Sequence, residues 1–442
     1  MLHRQALRLC RGLLCVLVFG CTSCQAKLND NDIRWVPGIE GKKLGSLTRV
    51  EGIRQALSQS DKPVRMFVVH GMITKDANYS EDFQGAIAKT LGLVRGKQYP
   101  VQYINRGYDF EVFSGPQGYA THKPSSELRK TSWVDATNNV RLVVYELLWA
   151  PLRDSLKRQF LSCYESRLEN GCENVTSTNR AVDGRSLING WLKDDIMVNG
   201  FADAMLVLSP MGNVLRDDVN QAMCAIASDA LYDGGFRISA STARCDLLRL
   251  DIPQESWQEA GLILAKTKLV TVTHSLGSFL VLDTQQQYAR TKIRLESKNG
   301  HETVEERRDL LLFSLTDQSS VFMMANQIGL LQLARLTATC VFEKTESSCP
   351  NRFLRGLEKV VEVDARGQLR TFVAFNDTDD LLGFELQPYL SEMSVFGHLI
   401  NVSVRNSGFS LPWLFKNPKS AHTRHFENET IINAVAEGFL LK

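Results

Sequence analysis

The sequence predicts an α/β protein: a mostly parallel sheet with helices on both faces and a helical insertion. Three observations lead there. Apolar runs of strand length recur along the chain. The first, Val64-Arg65-Met66-Phe67-Val68-Val69, is nearly continuous, as a strand buried on both faces must be. Helix-like stretches alternate with these runs over the whole length, which is the pattern of a layered α/β fold. The segment from about 150 to 262 is mostly helix-like and too long for one crossover, so it reads as a cap inserted into the sheet domain.

Composition sets the outer bounds. The chain has 442 residues, 44% hydrophobic and 23% charged, ordinary for a globular protein able to bury a core. A net charge of +2 argues against a polybasic nucleic-acid binder, and no nucleic-acid partner is expected. Glycine and proline are not enriched, which argues against collagen-like and disordered classes. Beyond the first 25 residues no apolar run is long enough to span a bilayer.

The N-terminus carries Arg4, Arg8 and Arg11 without an acid, then the apolar run Leu13–Phe19, then Gly20-Cys21. A basic region, a short apolar region and a small residue describe a secretory signal, too short for a membrane span. Val18-Phe19-Gly20-Cys21 resembles a bacterial lipobox, although Phe19 stands where small residues are usual. The resemblance implies a signal at 1–20, a lipidated Cys21 and a membrane anchor through that residue. Thr22 rather than Asp then implies the outer membrane of the cell envelope. The alternative is cleavage after Ala26 and a soluble secreted chain. Beyond Cys21 and Cys24 lie Cys163, Cys172, Cys224, Cys245, Cys340 and Cys349. Cys163/Cys172 and Cys340/Cys349 each bracket a polar, turn-like stretch that an oxidising compartment would let close, but six cysteines allow about 15 pairings. Cys224, in an apolar helical stretch, reads as a buried thiol. No cysteine set has zinc-ligand spacing, so no metal is assigned.

The elements follow in order. Residues 21–62 are a polar lead-in, and the main domain runs from 63 to 442. After Val64–Val69 comes a helix over 81–92, then a second strand over Val140–Trp149. The cap region has breaks at Gly171, Pro210 and Gly234-Gly235. Leu269–Thr273 is a third strand and Leu276–Gln287 a helix. Leu310–Leu315 reads as a fourth strand, after the charged connection 291–309. Leu369–Phe375 and Leu399–Val404 are the fifth and sixth, and 428–440 an amphipathic closing helix.

The chemistry concentrates at Thr273-His274-Ser275-Leu276-Gly277. A buried strand runs straight into Ser275 and a helix leaves it, the context of a nucleophile elbow. In such a turn the serine is strained and its neighbours must be small. Gly277 fits; Thr273 replaces the first glycine of G-x-S-x-G. A serine in an N-cap turn would read the same way locally. With this motif the chain resembles the α/β-hydrolase superfamily, especially lipases and esterases with a T-H-S-L-G elbow.

The resemblance assigns further residues. His70-Gly71-Met72 ends the first strand, where relatives place the oxyanion loop; backbone N–H groups of Met72 and Leu276 would form the oxyanion hole. Asn376-Asp377-Thr378-Asp379-Asp380-Leu381-Leu382 follows a late strand, where relatives place the triad acid. Asp380 is the first choice, Asp377 the second and Asp379 the third. His422 stands just before the final helix as the candidate base, with His425 as the alternative. The order Ser, Asp, His is that of the superfamily.

His274 would pack behind the nucleophile. His398 and His122 have no evident role, Glu302–Asp309 reads as a solvated face, and Asn326 either supports the acid loop or caps a helix. The implied function is hydrolysis of an acyl ester or lipid substrate through an acyl-enzyme, without cofactor. An acyltransferase is a variant of the same chemistry. The alternative class is a non-catalytic envelope lipoprotein that uses the fold as an interaction module.

Overall fold

The computed structural model describes residues 28, 32–35, 48–72, 78–104, 110–113, 119–122, 126–161, 200–236, 256–296, 303–317, 319–333, 370–386, 397–406, 410–411, 415–416 and 418–441. Among these residues one sheet holds ten strands: β1 (Ile33–Trp35), β2 (Val64–Val69), β3 (Val94–Gln98), β4 (Gln102–Ile104), β5 (Ser126–Val134), β6 (Val140–Leu148), β7 (Leu269–His274), β8 (Ser320–Met324), β9 (Arg370–Asp377) and β10 (Gly397–Val404). In space the order is β1-β10-β9-β8-β7-β2-β6-β5-β3, and β4 also pairs with β5. The central run β10-β9-β8-β7-β2-β6 is parallel. The strands outside it, β1, β5, β3 and β4, pair antiparallel. The expectation of a mostly parallel α/β sheet is met.

Among the described residues the helices are α1 (Ile53–Ser58), α2 (Glu81–Leu91), α3 (Ala150–Leu161), α4 (Ala202–Leu208), α5 (Met211–Asp233), α6 (Trp257–Lys266), α7 (Leu276–Glu296), α8 (Val304–Thr316), α9 (Ile328–Leu333), α10 (Pro418–Thr423) and α11 (Glu429–Glu437). They cover both faces of the sheet, and strand periodicity explains how. Along β2 all six residues are buried. Phe67 and Val69 join the core under α5, α7 and α8, whereas Val64, Met66 and Val68 join the core under α1, α2 and α11. Successive side chains of a strand point to opposite faces, so one apolar run supplies two cores.

Three expectations are corrected. Leu310–Leu315 is not a strand but the second half of α8. A capping box starts that helix: the Thr303 hydroxyl accepts from the Glu306 N–H at 3.2 Å, and the Glu306 carboxylate accepts from the Thr303 N–H at 2.8 Å. The strand is Ser320–Met324, five residues that give no alternation because both faces are covered. With it, the charged run to Asp309 becomes the first half of a helix rather than a solvated face alone: Asp309 is buried and accepts from the Thr291 hydroxyl at 3.0 Å. Third, Cys224 is disulfide-bonded, not a free thiol, and its partner lies outside the described residues. The other cysteines, Cys21 included, also lie outside them.

Part of the stretch expected as a lead-in contributes to the sheet. β1 pairs with β10, with Ile33 opposite Val402, and Val50 and Ile53 are fully buried. Pro210 separates α4 from α5, as the expected break, and α5 ends at Gly234.

Candidate active site

The site forms at the carboxyl ends of the parallel strands, where β7 passes into α7. β7 is buried throughout and lies between β2 and β8, with Thr273 opposite both Val69 and Met323. The chain then turns at Ser275, which has φ of 53°. Only a few per cent of non-glycine residues adopt a left-handed backbone, so the turn is strained and held from outside. Its holders are identifiable. The Ser275 N–H donates to the Met324 carbonyl at 2.8 Å. The two glycines are required by close approach: a Cβ on Gly277 would lie 2.5 Å from the His70 carbonyl oxygen, and one on Gly71 would lie 2.3 Å from Ser275 Cβ. Thr273, in place of the usual first glycine, is fully buried with its hydroxyl 2.8 Å from that of Ser278.

The structure brings Ser275, His422 and Asp380 together. Ser275 Oγ lies 3.0 Å from His422 Nε2. His422 Nδ1 lies 2.9 Å from each Asp380 carboxylate oxygen. An ionised carboxylate only accepts, so Nδ1 carries the proton and Nε2 is left to accept the Ser275 hydroxyl proton. Burial pushes the Asp380 acid up, but the hydrogen bond and charge of His422 and the Leu382 N–H prevail, and its pKa lies below the ordinary value. Asp380, not Asp377 or Asp379, is the acid at the histidine. Asp377 accepts from the N–H of Asp379 at 3.0 Å and of Asn406 at 2.6 Å, so it fixes loop backbone. A Cβ on Gly383 would come within 2.5 Å of Asp380 Oδ2, so this glycine gives the carboxylate its room.

His422 is held by its main chain. His274 Nε2 lies 2.8 Å, and His425 Nδ1 3.1 Å, from the His422 carbonyl oxygen. Both rings are buried, which pushes His274 well below the ordinary histidine pKa and His425 to about 4. Both are therefore neutral at neutral pH and each can donate one N–H to that carbonyl. The Asn406 amide adds a bond to the Ala421 carbonyl at 2.6 Å. His422, not His425, is thus the histidine that meets Ser275 and Asp380, and His425 supports it.

Burial also pushes His70 down to about 3, with the charge of Arg153 adding to the effect. Neutral His70 accepts from the Trp149 N–H at 3.1 Å and stacks on the Trp149 ring. Its other nitrogen lies 2.6 Å from the Gly71 carbonyl and donates to it. The peptide unit is planar and trans, so pinning the Gly71 carbonyl fixes the Met72 N–H on the opposite side. Leu276 opens α7, where the first N–H groups lie ahead of the helical ladder. Met72 and Leu276 are both buried beside Ser275. Asn326 does both things expected of it. Its amide donates to the Phe384 carbonyl at 2.7 Å in the acid loop, and its oxygen accepts from the Ile328 N–H at 3.3 Å at the start of α9.

His398 is buried away from this network, and the His122 side chain lies outside the described residues. The supporting roles of Trp149, Gly383 and Asn406 had no sequence signal, since each depends on a partner distant in the chain; His70 was marked only as part of the His70-Gly71-Met72 strand end. Among the described residues no group of three or more His, Cys, Asp or Glu could hold a metal ion, and no helix is long and apolar enough to cross a membrane. The chain matches no protein family, no curated protein and no solved structure.

Proposed function

We propose that this protein is a serine hydrolase of the α/β-hydrolase type that cleaves a carboxylic ester through an acyl-enzyme on Ser275. The observation that carries the reading is the hydrogen-bonded chain Ser275–His422–Asp380, reached by three distant segments at the end of one strained turn. A serine hydroxyl is a weak nucleophile until a base takes its proton. His422 would accept that proton as Ser275 Oγ attacks the acyl carbonyl, and Asp380 would stabilise the imidazolium. The carbonyl oxygen would take up the electron pair beside the N–H groups of Met72 and Leu276. His422 would then return the proton to the leaving alcohol. Water activated by the same nitrogen would release the acid; an alcohol in place of water would make the reaction acyl transfer.

Of the helices between β6 and β7, α5 packs on a sheet face, with Asp229 accepting from the Tyr145 hydroxyl of β6 at 2.5 Å, so α3 and α4 would be the ones to cover the acyl group. The lipobox resemblance at Cys21 extends the reading to a lipid-anchored enzyme of the bacterial envelope, probed by mass spectrometry of the mature N-terminus. One observation favours the second class, an interaction module: Ser275 is fully buried. A fluorescent fluorophosphonate separates the two. The wild type is expected to label, in buffer or with detergent micelles, and Ser275→Ala and His422→Ala are not. A folded wild type that stays unlabelled in both conditions overturns the enzyme and leaves the module.

A further inference from the structure

Asn326 and Gln327 are neighbours just beyond β8, both fully buried, and their amides are treated differently. Asn326 is spent on the acid loop and on α9. Gln327 Oε1 has no hydrogen-bond partner, and its Nε2 reaches only the thioether of Met72, at 3.9 Å. A thioether is a weak acceptor, so this carboxamide is buried almost without compensation. Such a group in a folded protein calls for an explanation in strain, in solvent or in function.

Its position supplies one. β7 lies between β2 and β8 in the sheet. Met72 lies just past the end of β2, and Gln327 just past the end of β8. A contact between them therefore bridges the carboxyl end of β7, where Ser275 stands. Another unpaired amide, Gln285, lies along α7, and nothing ties it to the triad. Ala325, which leads into Gln327, has φ of 48°, a second left-handed turn beside that of Ser275. Strained turns persist where the surrounding structure over-determines them, and they cluster at active sites.

We infer that the Gln327 carboxamide is a third donor to the reacting carbonyl, its Nε2–H group joining the backbone N–H groups of Met72 and Leu276. The inference rests on the serine-hydrolase reading and deepens it. Ser275 Oγ bonds to the acyl carbon, its proton passes to His422 Nε2, and the C=O π pair moves onto oxygen. Gln327 would meet that oxygen as its charge grows, and so favour the transition state over the bound ester. In the free protein the same N–H group rests on the Met72 sulfur, a partner easily given up.

The test compares wild type with Gln327→Ala and Gln327→Met, the second keeping bulk against Met72 while removing the donor. The probes are p-nitrophenyl butyrate and an alkyl trifluoromethyl ketone, whose adduct with Ser275 carries an oxyanion. Both variants are expected to lose about 10- to 100-fold in kcat with KM within about 3-fold, somewhat less than a principal oxyanion donor costs. The ketone's Ki should rise by the same factor. A kcat within twofold of wild type in folded variants overturns the inference. So does a fall in kcat with the ketone's Ki unchanged, and so does failure of both variants to fold, since each makes Gln327 a structural residue. Failure of the wild type itself to react with fluorophosphonate would instead remove the serine-hydrolase reading beneath it.

Discussion

At the residue scale, the acid loop holds three aspartates with three different duties. Asp380 meets His422, Asp377 ties Asn406 and Asp379 through their N–H groups, and Asp379 is half-buried in the turn. Asp380→Asn would leave an amide facing His422 Nδ1 and favour the wrong imidazole tautomer. Esterase activity should fall by about 10⁴-fold at pH 7. Asp377→Asn keeps one acceptor for loop N–H groups and should stay within about tenfold of wild type, losing stability instead. Steady-state rates with p-nitrophenyl butyrate decide; equal losses in the two variants would contradict the assignment. Ser275, His422 and Asp380 were legible because each has a local signature: a strand-to-helix turn, a position before the last helix, an acid after a late strand. The second layer was not legible. Trp149, Gly383 and Gln327 draw their meaning from partners that no local pattern announces.

At the element scale, the end of β2 and the start of α7 approach so closely that glycine is the only residue with room at two places. Gly71→Ala would put a Cβ 2.3 Å from Ser275 Cβ and 2.7 Å from the His274 carbonyl oxygen, neither of which can yield cheaply. The loop must move off the elbow and take the Met72 N–H with it. The variant should lose more than about tenfold in fluorophosphonate labelling and about 1–3 kcal/mol in urea unfolding. Gly85→Ala is the control. Its Cβ meets nothing within 4 Å, in the middle of α2, so stability should rise by about 0.5–1 kcal/mol with labelling unchanged. β2, β6, β7, β9 and β10 were readable because long apolar runs leave few alternatives. β8 was missed for a physical reason. Leu310–Leu315 is the more strongly apolar run, yet Thr303 and Glu306 had already committed it to a helix. The Thr-x-x-Glu signature was present in the sequence and would have decided the matter.

At the scale of the whole molecule, neutral buried histidines set the response to acid. Burial, the largest cause for each, holds His70 near 3 and His425 near 4, and His274 well below its ordinary value. The unfolded chain takes up protons at these histidines near pH 6.5, whereas the native state does not until far lower pH. Stability is therefore complete above about pH 6.5 and falls as the pH drops towards 4, by about 2 kcal/mol at pH 5 for each of His70 and His425, with His274 acting in the same direction. Urea unfolding between pH 8 and pH 5 measures this; a flat profile would mean that these rings are already protonated in the native state. The sheet order has a further consequence, in time rather than in energy. The strand β7 that leads into Ser275 lies between β2, far earlier in the chain, and β8, and the Ser275 N–H waits for Met324. His422 arrives late in the chain, and the two imidazoles that hold its carbonyl come from residues 274 and 425. Pairings this distant in sequence form late and slowly during folding. A chain still emerging from its ribosome thus holds Ser275 without His422. On the serine-hydrolase reading, reactivity towards an acyl group would appear only after residue 425 has been made, so labelling of Ser275 would double as a clock for the assembly of this fold.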